Sequence, residues 1–218
     1  MQCPNCQAEV QSGAAHCSQC GASLNNATPA TTSAASNYKS SFGDQFNAAL
    51  IFWKMNLSDL VVLTLVFLLV FWIPIANIGF AAGYTRSILK VARGQGKAEV
   101  GDLFAAWDCF GNLLIYCILI LVCSVILNVV PLLGALASMA LGFAALPGLY
   151  MIVDRGTNFG DAIKGSIAAI QANPVDWGLS YLVGYIVGGI GALLLFVGII
   201  FTLPLGALVM ALQYENSK

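Results

Sequence analysis

Charge is what this chain has least of. Only 9% of its 218 residues are Asp, Glu, Lys or Arg, and it holds a single His. Soluble domains carry about 25% charged residues, so a fully water-facing surface is excluded. Disorder is excluded as well, because it needs low hydrophobicity and high charge, whereas 59% of these residues are hydrophobic. Residues 1–38 hold one charged side chain, Glu9, and no cation at all. Phosphate backbones are bound by cations, so neither this segment nor a net charge of −1 points to nucleic acid.

The charges that exist are unevenly placed. None falls in 60–85, 109–153 or 177–214. A membrane-spanning helix takes about 20 apolar residues, so the second and third windows each fit two spans joined by a tight turn. The first is shorter, but its apolar character runs on past Arg86. Turns are expected at Ile73-Pro74-Ile75-Ala76-Asn77, around Pro131, and at Gly188-Gly189-Ile190-Gly191, since Pro and Gly punctuate helices. Pro204 marks a further candidate kink. The expectation is an all-α membrane bundle of six spans, near 57–73, 75–93, 111–130, 132–153, 175–191 and 193–214. It places Lys54, Lys90, Arg93, Lys97, Arg155, Lys164 and Lys218 on one side. Cations near span ends mark the cytoplasmic side, so both termini are expected inside. A five-span alternative, with one span in 57–83, sets the cations of 86–97 opposite Lys54, against that rule. The opening Met1-Gln2-Cys3-Pro4 has neither a charged n-region nor an apolar h-region, so no signal peptide is expected.

The membrane part repeats itself. Phe42-Gly43-Asp44, Val100-Gly101-Asp102 and Phe159-Gly160-Asp161 are spaced by 58 and 59 residues. The first and third units share Asn-x-x-Asp at one offset, as Asn56…Asp59 and Asn173…Asp176. Arg93-Gly94 and Arg155-Gly156 close two of them. Such self-similarity signals one supersecondary unit used three times, over about 42–94, 100–156 and 159–215. Each unit opens with apolar residues at helical spacing: Phe42, Phe46, Ala49, Leu50 and Trp53; Leu103, Phe104, Trp107 and Phe110; Phe159, Ile163, Ile167 and Ile170. The Gly-Asp aspartates suit helix N-termini. Each opening segment is expected to be an amphipathic helix, either lying in the cytoplasmic interface or packed against the bundle.

Cysteine carries the one strong chemical motif. Cys3-Pro4-Asn5-Cys6 and Cys17-Ser18-Gln19-Cys20-Gly21 form two CxxC knuckles separated by 10 residues. Paired thiolates in this pattern reach one tetrahedral Zn²⁺ with Zn–S near 2.3 Å, so Cys3, Cys6, Cys17 and Cys20 are the expected ligands of a structural zinc. A segment as short as 1–24 cannot bury a core, and zinc supplies roughly 10–16 kcal/mol to such ribbons. Four thiolates close the coordination sphere, so no catalysis is expected there. Disulfides are disfavoured by the expected cytoplasmic side. His16 reads as a surface residue. Residues 25–41, rich in Ala, Ser, Thr and Asn, read as a flexible tether of about 20–25 Å reach.

The remaining candidates are weaker. Cys109, Cys117 and Cys123 lack metal spacing and read as small hydrophobes. Arg86 lies inside a span, close enough to its end to snorkel, with Asp59 or Asp108 as partner. Gly79-x-x-x-Gly83 and Gly184-x-x-x-Gly188 allow close helix approach, either within the bundle or in a homo-oligomer. No paired carboxylates or His lie within the spans to support intramembrane chemistry.

The Cys3-Pro4-x-Cys6…Cys17-x-x-Cys20-Gly21 pattern resembles the short zinc ribbons that open many bacterial membrane proteins. Gly101-Asp102-Leu103-Phe104 and Leu203-Pro204-Leu205 resemble a broad group of bacterial inner-membrane proteins akin to the membrane domain of some glycerophosphodiester phosphodiesterases. The resemblance implies a zinc-ribbon protein of the bacterial inner membrane without the phosphodiesterase activity. The expected role is non-enzymatic: the ribbon binds a cytoplasmic protein. The alternative is a transporter or channel for an apolar or lipid-like substrate.

Overall fold

The computed structural model describes residues 41–129, 131–193 and 197–218. The expected ribbon (1–24) and its tether (25–41, apart from Ser41) lie outside these residues. Among the described residues the fold is all-helical, with no strand. Eight α-helices follow in order: α1 Phe42–Met55, α2 Leu57–Val70, α3 Ala76–Ala92, α4 Phe110–Leu127, α5 Pro131–Arg155, α6 Phe159–Ala172, α7 Pro174–Leu193 and α8 Val197–Asn216. A single 3-10 helix, Val100–Phe104, stands between α3 and α4.

The threefold repeat is visible in this order. α1 and α6 are each 14 residues long and begin alike. Ser41 and Asn158 cap them from extended backbone, accepting from Asp44 N and Asp161 N. Both helices stop at an asparagine, Asn56 or Asn173, and the next helix follows at once. Asn56 Nδ2 donates to Phe52 O at 3.0 Å, which ties off the last turn of α1. Side chains of this type compete with the helical backbone for hydrogen bonds.

The middle unit departs from the expected pattern. Leu103, Phe104, Trp107 and Phe110 do not share one amphipathic helix. The helix is reduced to the 3-10 turn, an irregular stretch of bend and turn follows over 105–109, and Phe110 already belongs to α4. Leu114 stands where the other units have Asn56 and Asn173, so nothing terminates the helix there and α4 runs unbroken to Leu127. The third turn also differs. α7 continues through Gly188, Gly189 and Gly191 to Leu193. A Cβ on Gly191 would sit 2.8 Å from Ile199 Cα, so glycine is retained there for close approach to α8.

Each opening segment docks along the last helix of another unit rather than ending apart from the bundle. Trp53 of α1 donates from Nε1 to Phe201 O of α8 at 2.9 Å. Ser166 of α6 donates to Ala144 O of α5 at 2.5 Å and accepts from Gly148 N at 3.1 Å. Both accepting carbonyls lie three residues before a proline inside the helix, Pro204 in α8 and Pro147 in α5. Proline removes an N–H and displaces the turn before it, which leaves carbonyls there open to a second donor. α3 has no proline and uses glycine instead. A Cβ on Gly83 would meet the carbonyl oxygens of Asp102 and Leu103 at 2.5 Å, and one on Gly79 would meet Trp107 at 2.9 Å. Of the expected small-residue pairs, Gly79, Gly83 and Gly184 thus pack inside the fold, while Gly188 has open space beside it.

The docking closes a ring, because the first unit's α1 rests on the third unit's α8. At its centre α3, α5 and α8 meet through Tyr84, Ile88, Tyr150, Leu208, Ala211 and Tyr214. Tyr150 stacks on Tyr214 with centroids 5.3 Å apart. α4 is peripheral: of its residues only Leu113 and Tyr116 are buried. Among the described residues three helical segments are long and apolar enough to cross a membrane: Phe110–Leu127, Leu133–Arg155 and Gly198–Asn216. The α1–α2 pair passes the same test jointly, with an 86° bend at Asn56, which makes up to four.

The glycine contacts give a direct check. Gly83→Ala should destabilise the fold by about 1–3 kcal/mol, because backbone cannot yield as a side-chain end can. Gly178→Ala, with open space around it, should be neutral or stabilising by up to about 1 kcal/mol through helix propensity. Thermal unfolding in detergent micelles measures both.

Candidate functional site

The polar chemistry of the described residues gathers where α3, α5 and α8 end. Arg93 caps α3. Its Nε and Nη2 donate to Glu215 of α8 at 2.9 and 2.7 Å, and Nη2 also donates to Asp154 of α5 at 2.5 Å. Lys218 reaches the same two carboxylates at 2.9 and 2.8 Å and lies 4.7 Å over the Tyr214 ring. The Tyr214 hydroxyl donates to Asp154 at 3.1 Å. One cluster therefore binds the last helices of all three units.

Two further cations of α3 form ion pairs beside it. Arg86 grips Asp108 with both Nη atoms, at 2.6 and 2.7 Å, and donates from Nε to Val153 O at 2.8 Å. Of its two expected partners, Asp108 is the one used; Asp59 stands 3.9 Å from Lys97. The Arg86 hydrogen bonds hold the Asp108 carboxyl below the usual carboxylate range. One turn further along, Lys90 pairs with Glu99 at 3.2 Å and Asp102 at 3.4 Å. Asp102 also accepts from Ser87 at 2.7 Å, which fixes the 3-10 segment to α3.

Arg86, Leu89, Lys90, Arg93, Gln95 and Asp154 enclose a cavity of about 280 Å³. Below it an apolar groove of about 180 Å³ runs between α3, α4 and α5. A second apolar groove, about 210 Å³, lies between α4, α5 and α6 beside Tyr116. The arrangement offers anion-binding donors next to apolar slots. The expected zinc ligands Cys3, Cys6, Cys17 and Cys20, and His16, lie outside the described residues. No group of metal-ligating side chains occurs among the described ones. Cys109 is buried and donates to Ala106 O at 3.4 Å, while Cys117 and Cys123 are half-buried on α4. The Arg93 cluster escaped the sequence reading because its partners are 61 and 122 residues away; the Arg-Gly that closes the first unit was its only local sign.

Arg93→Lys should not restore what Arg93→Ala loses, since an ammonium cannot reproduce the fork that holds two carboxylates. Each should lower stability by about 1.5–3 kcal/mol, the worth of hydrogen bonds to charged groups, measured by thermal unfolding. Acid should weaken the Arg86–Asp108 clamp. Because the folded carboxyl titrates below its unfolded value of about 4, its contribution is complete above that pH and vanishes as pH falls through the lower folded value. The gain is modest, since the Asp108 side chain is 62% exposed and solvent screens it. Asp108→Asn should flatten this part of the acid limb in a pH series of melting temperatures. Comparison with protein-family models, curated proteins and solved structures finds no match for this chain.

Proposed function

We propose that the chain is a six-span inner-membrane protein with both termini in the cytoplasm, whose N-terminal zinc ribbon binds a cytoplasmic protein. The observation that carries this reading is the Cys3/Cys6/Cys17/Cys20 pattern at the end of a polar tether. The bundle supports it. α2 with α3, α4 with α5 and α7 with α8 pair over the charge-free windows, with their few charges toward one end of the helices that carry them. The cations of α3 and Lys218 join acidic partners at one end. The opposite turn at 71–75 is uncharged and exposes Trp72 to 86%, as suits an aromatic anchor at a bilayer interface. The ion pairs join helix ends, and a ribbon of four thiolates would leave no coordination position for a substrate. The role is therefore assigned to recruitment, not catalysis.

A second reading, a transporter or channel for an apolar or lipid-like substrate, draws on the two apolar grooves. They lie at the periphery, while tyrosine and aliphatic side chains fill the centre between α3, α5 and α8. Flux in proteoliposomes tests it directly.

Purified chain should carry one zinc per molecule by elemental analysis, and Cys3→Ser/Cys6→Ser should lose it. In-cell crosslinking should give a defined set of cytoplasmic partners that the double variant loses at unchanged abundance; an unchanged set sinks the reading. For topology, Trp72→Cys in a background lacking Cys109, Cys117 and Cys123 should label from the outer side, and Gln95→Cys only after permeabilisation.

A further inference from the structure

Three cations face one carboxylate across the cavity at the charged end: Arg86, Lys90 and Arg93 against Asp154. Their other acidic partners, Asp108, Glu99, Asp102 and Glu215, do not belong to its wall. The cations also keep donors in reserve. A guanidinium has five N–H groups. Arg86 uses three of them, on Val153 and Asp108. Arg93 works through Nε and Nη2, and its Nη1 makes no bond among the described residues. Lys90 holds its two carboxylates only at 3.2 and 3.4 Å. Asp154, by contrast, is already engaged by three donors: it accepts from Arg93, Tyr214 and Lys218. With three cations against one already engaged carboxylate, the cavity wall favours an anion over an ammonium group.

The apolar groove lies along the same helices, and Arg86 of the cavity is bonded to Val153 of the groove. Ile78, Ala82 and Thr85 line the groove, and Leu89 and Arg93 line the cavity. Their spacings of four, three, four and four residues place all five on one stripe of α3. On α5, Val153 borders the groove and its neighbour Asp154 borders the cavity. Arg86 stands at the junction, bonded to Val153 O. A cationic cup beside an apolar slot matches an amphiphile with an anionic head.

We propose that this is a binding site for an anionic phospholipid of the cytoplasmic leaflet, with the phosphate among Arg86, Lys90 and Arg93 and one acyl chain in the groove between α3, α4 and α5. Basic pockets between helices on that side suit anionic headgroups. Lys90 is the member most free to turn to a phosphate, since its present partners are long and one of them, Glu99, is 70% exposed.

The inference rests on the membrane placement above but not on the ribbon, so Cys3→Ser/Cys6→Ser should respond like wild type. The test is the melting temperature of the delipidated full chain in neutral detergent, titrated with dioleoyl phosphatidylglycerol, dioleoyl phosphatidylcholine or inorganic phosphate. Phosphatidylglycerol should raise it saturably, and the other two should not. Lys90→Gln should raise the half-saturating phosphatidylglycerol about tenfold, roughly one lost charge-assisted bond, and Lys90→Arg should retain wild-type response. Ala81→Phe, which fills the groove, should weaken the response to the lipid; if it does not fold, Lys90→Gln against Lys90→Arg decides alone. Equal stabilisation by phosphatidylcholine overturns the proposal, as general lipid solvation. Equal stabilisation by phosphate overturns it too, as a site for free anions. So does a half-saturation unchanged in Lys90→Gln.

Discussion

Everything in the bundle depends on what Arg93 holds. One guanidinium sits where the last helices of three repeats end, and it binds a carboxylate from each of the other two. Its side chain is 23% exposed and that of Asp154 only 11%. Charges so placed are costly unless each is paired and hydrogen-bonded, and here Lys218 and the Tyr214 hydroxyl complete the shell. Once these ends are pinned, the tyrosine and aliphatic layer between α3, α5 and α8 has a register. The flanks of those helices then become the seats for the three opening segments.

Those seats solve one problem in two ways. A helix that must receive another segment needs either room or an unused backbone acceptor. Gly79 and Gly83 make room on α3, letting a backbone and an indole ring come within contact distance. Pro147 and Pro204 expose acceptors on α5 and α8, which Ser166 and Trp53 take up. Residues usually regarded as helix breakers are retained in the longest apolar helices because their defects are binding surfaces.

The helices were largely legible, because charge-free windows and Pro or Gly breaks are local facts. The Asn-x-x-Asp motif was more informative than its two occurrences suggested. Present at Asn56 and Asn173, it ends a helix; replaced by Leu114 and Cys117, it lets α4 run on, so the middle unit loses its amphipathic helix. Periodicity through Leu103, Phe104, Trp107 and Phe110 misled because apolar residues that pack on a neighbour from a 3-10 turn and an irregular segment can show the same spacing. Arg86 with Asp108 was within reach, since a cation on a largely apolar helix must find an acid nearby. The seating of α1 on α8 and the Arg93 cluster were not, because both join residues more than a hundred positions apart in chain order. No local pattern encodes such a meeting.

The closure of the ring has a temporal side. α1 is the first described helix to be made, and its seat, α8, is the last. Ribosomes add about 5–20 residues per second, so the roughly 150 residues between Trp53 and Phe201 delay their meeting by on the order of 10 s. Through that interval α1 has only its lesser contacts with α2 and α3. The other two opening segments each follow directly upon the helix that receives them. Biogenesis of this protein therefore has one vulnerable period, and it falls on the first of the described helices.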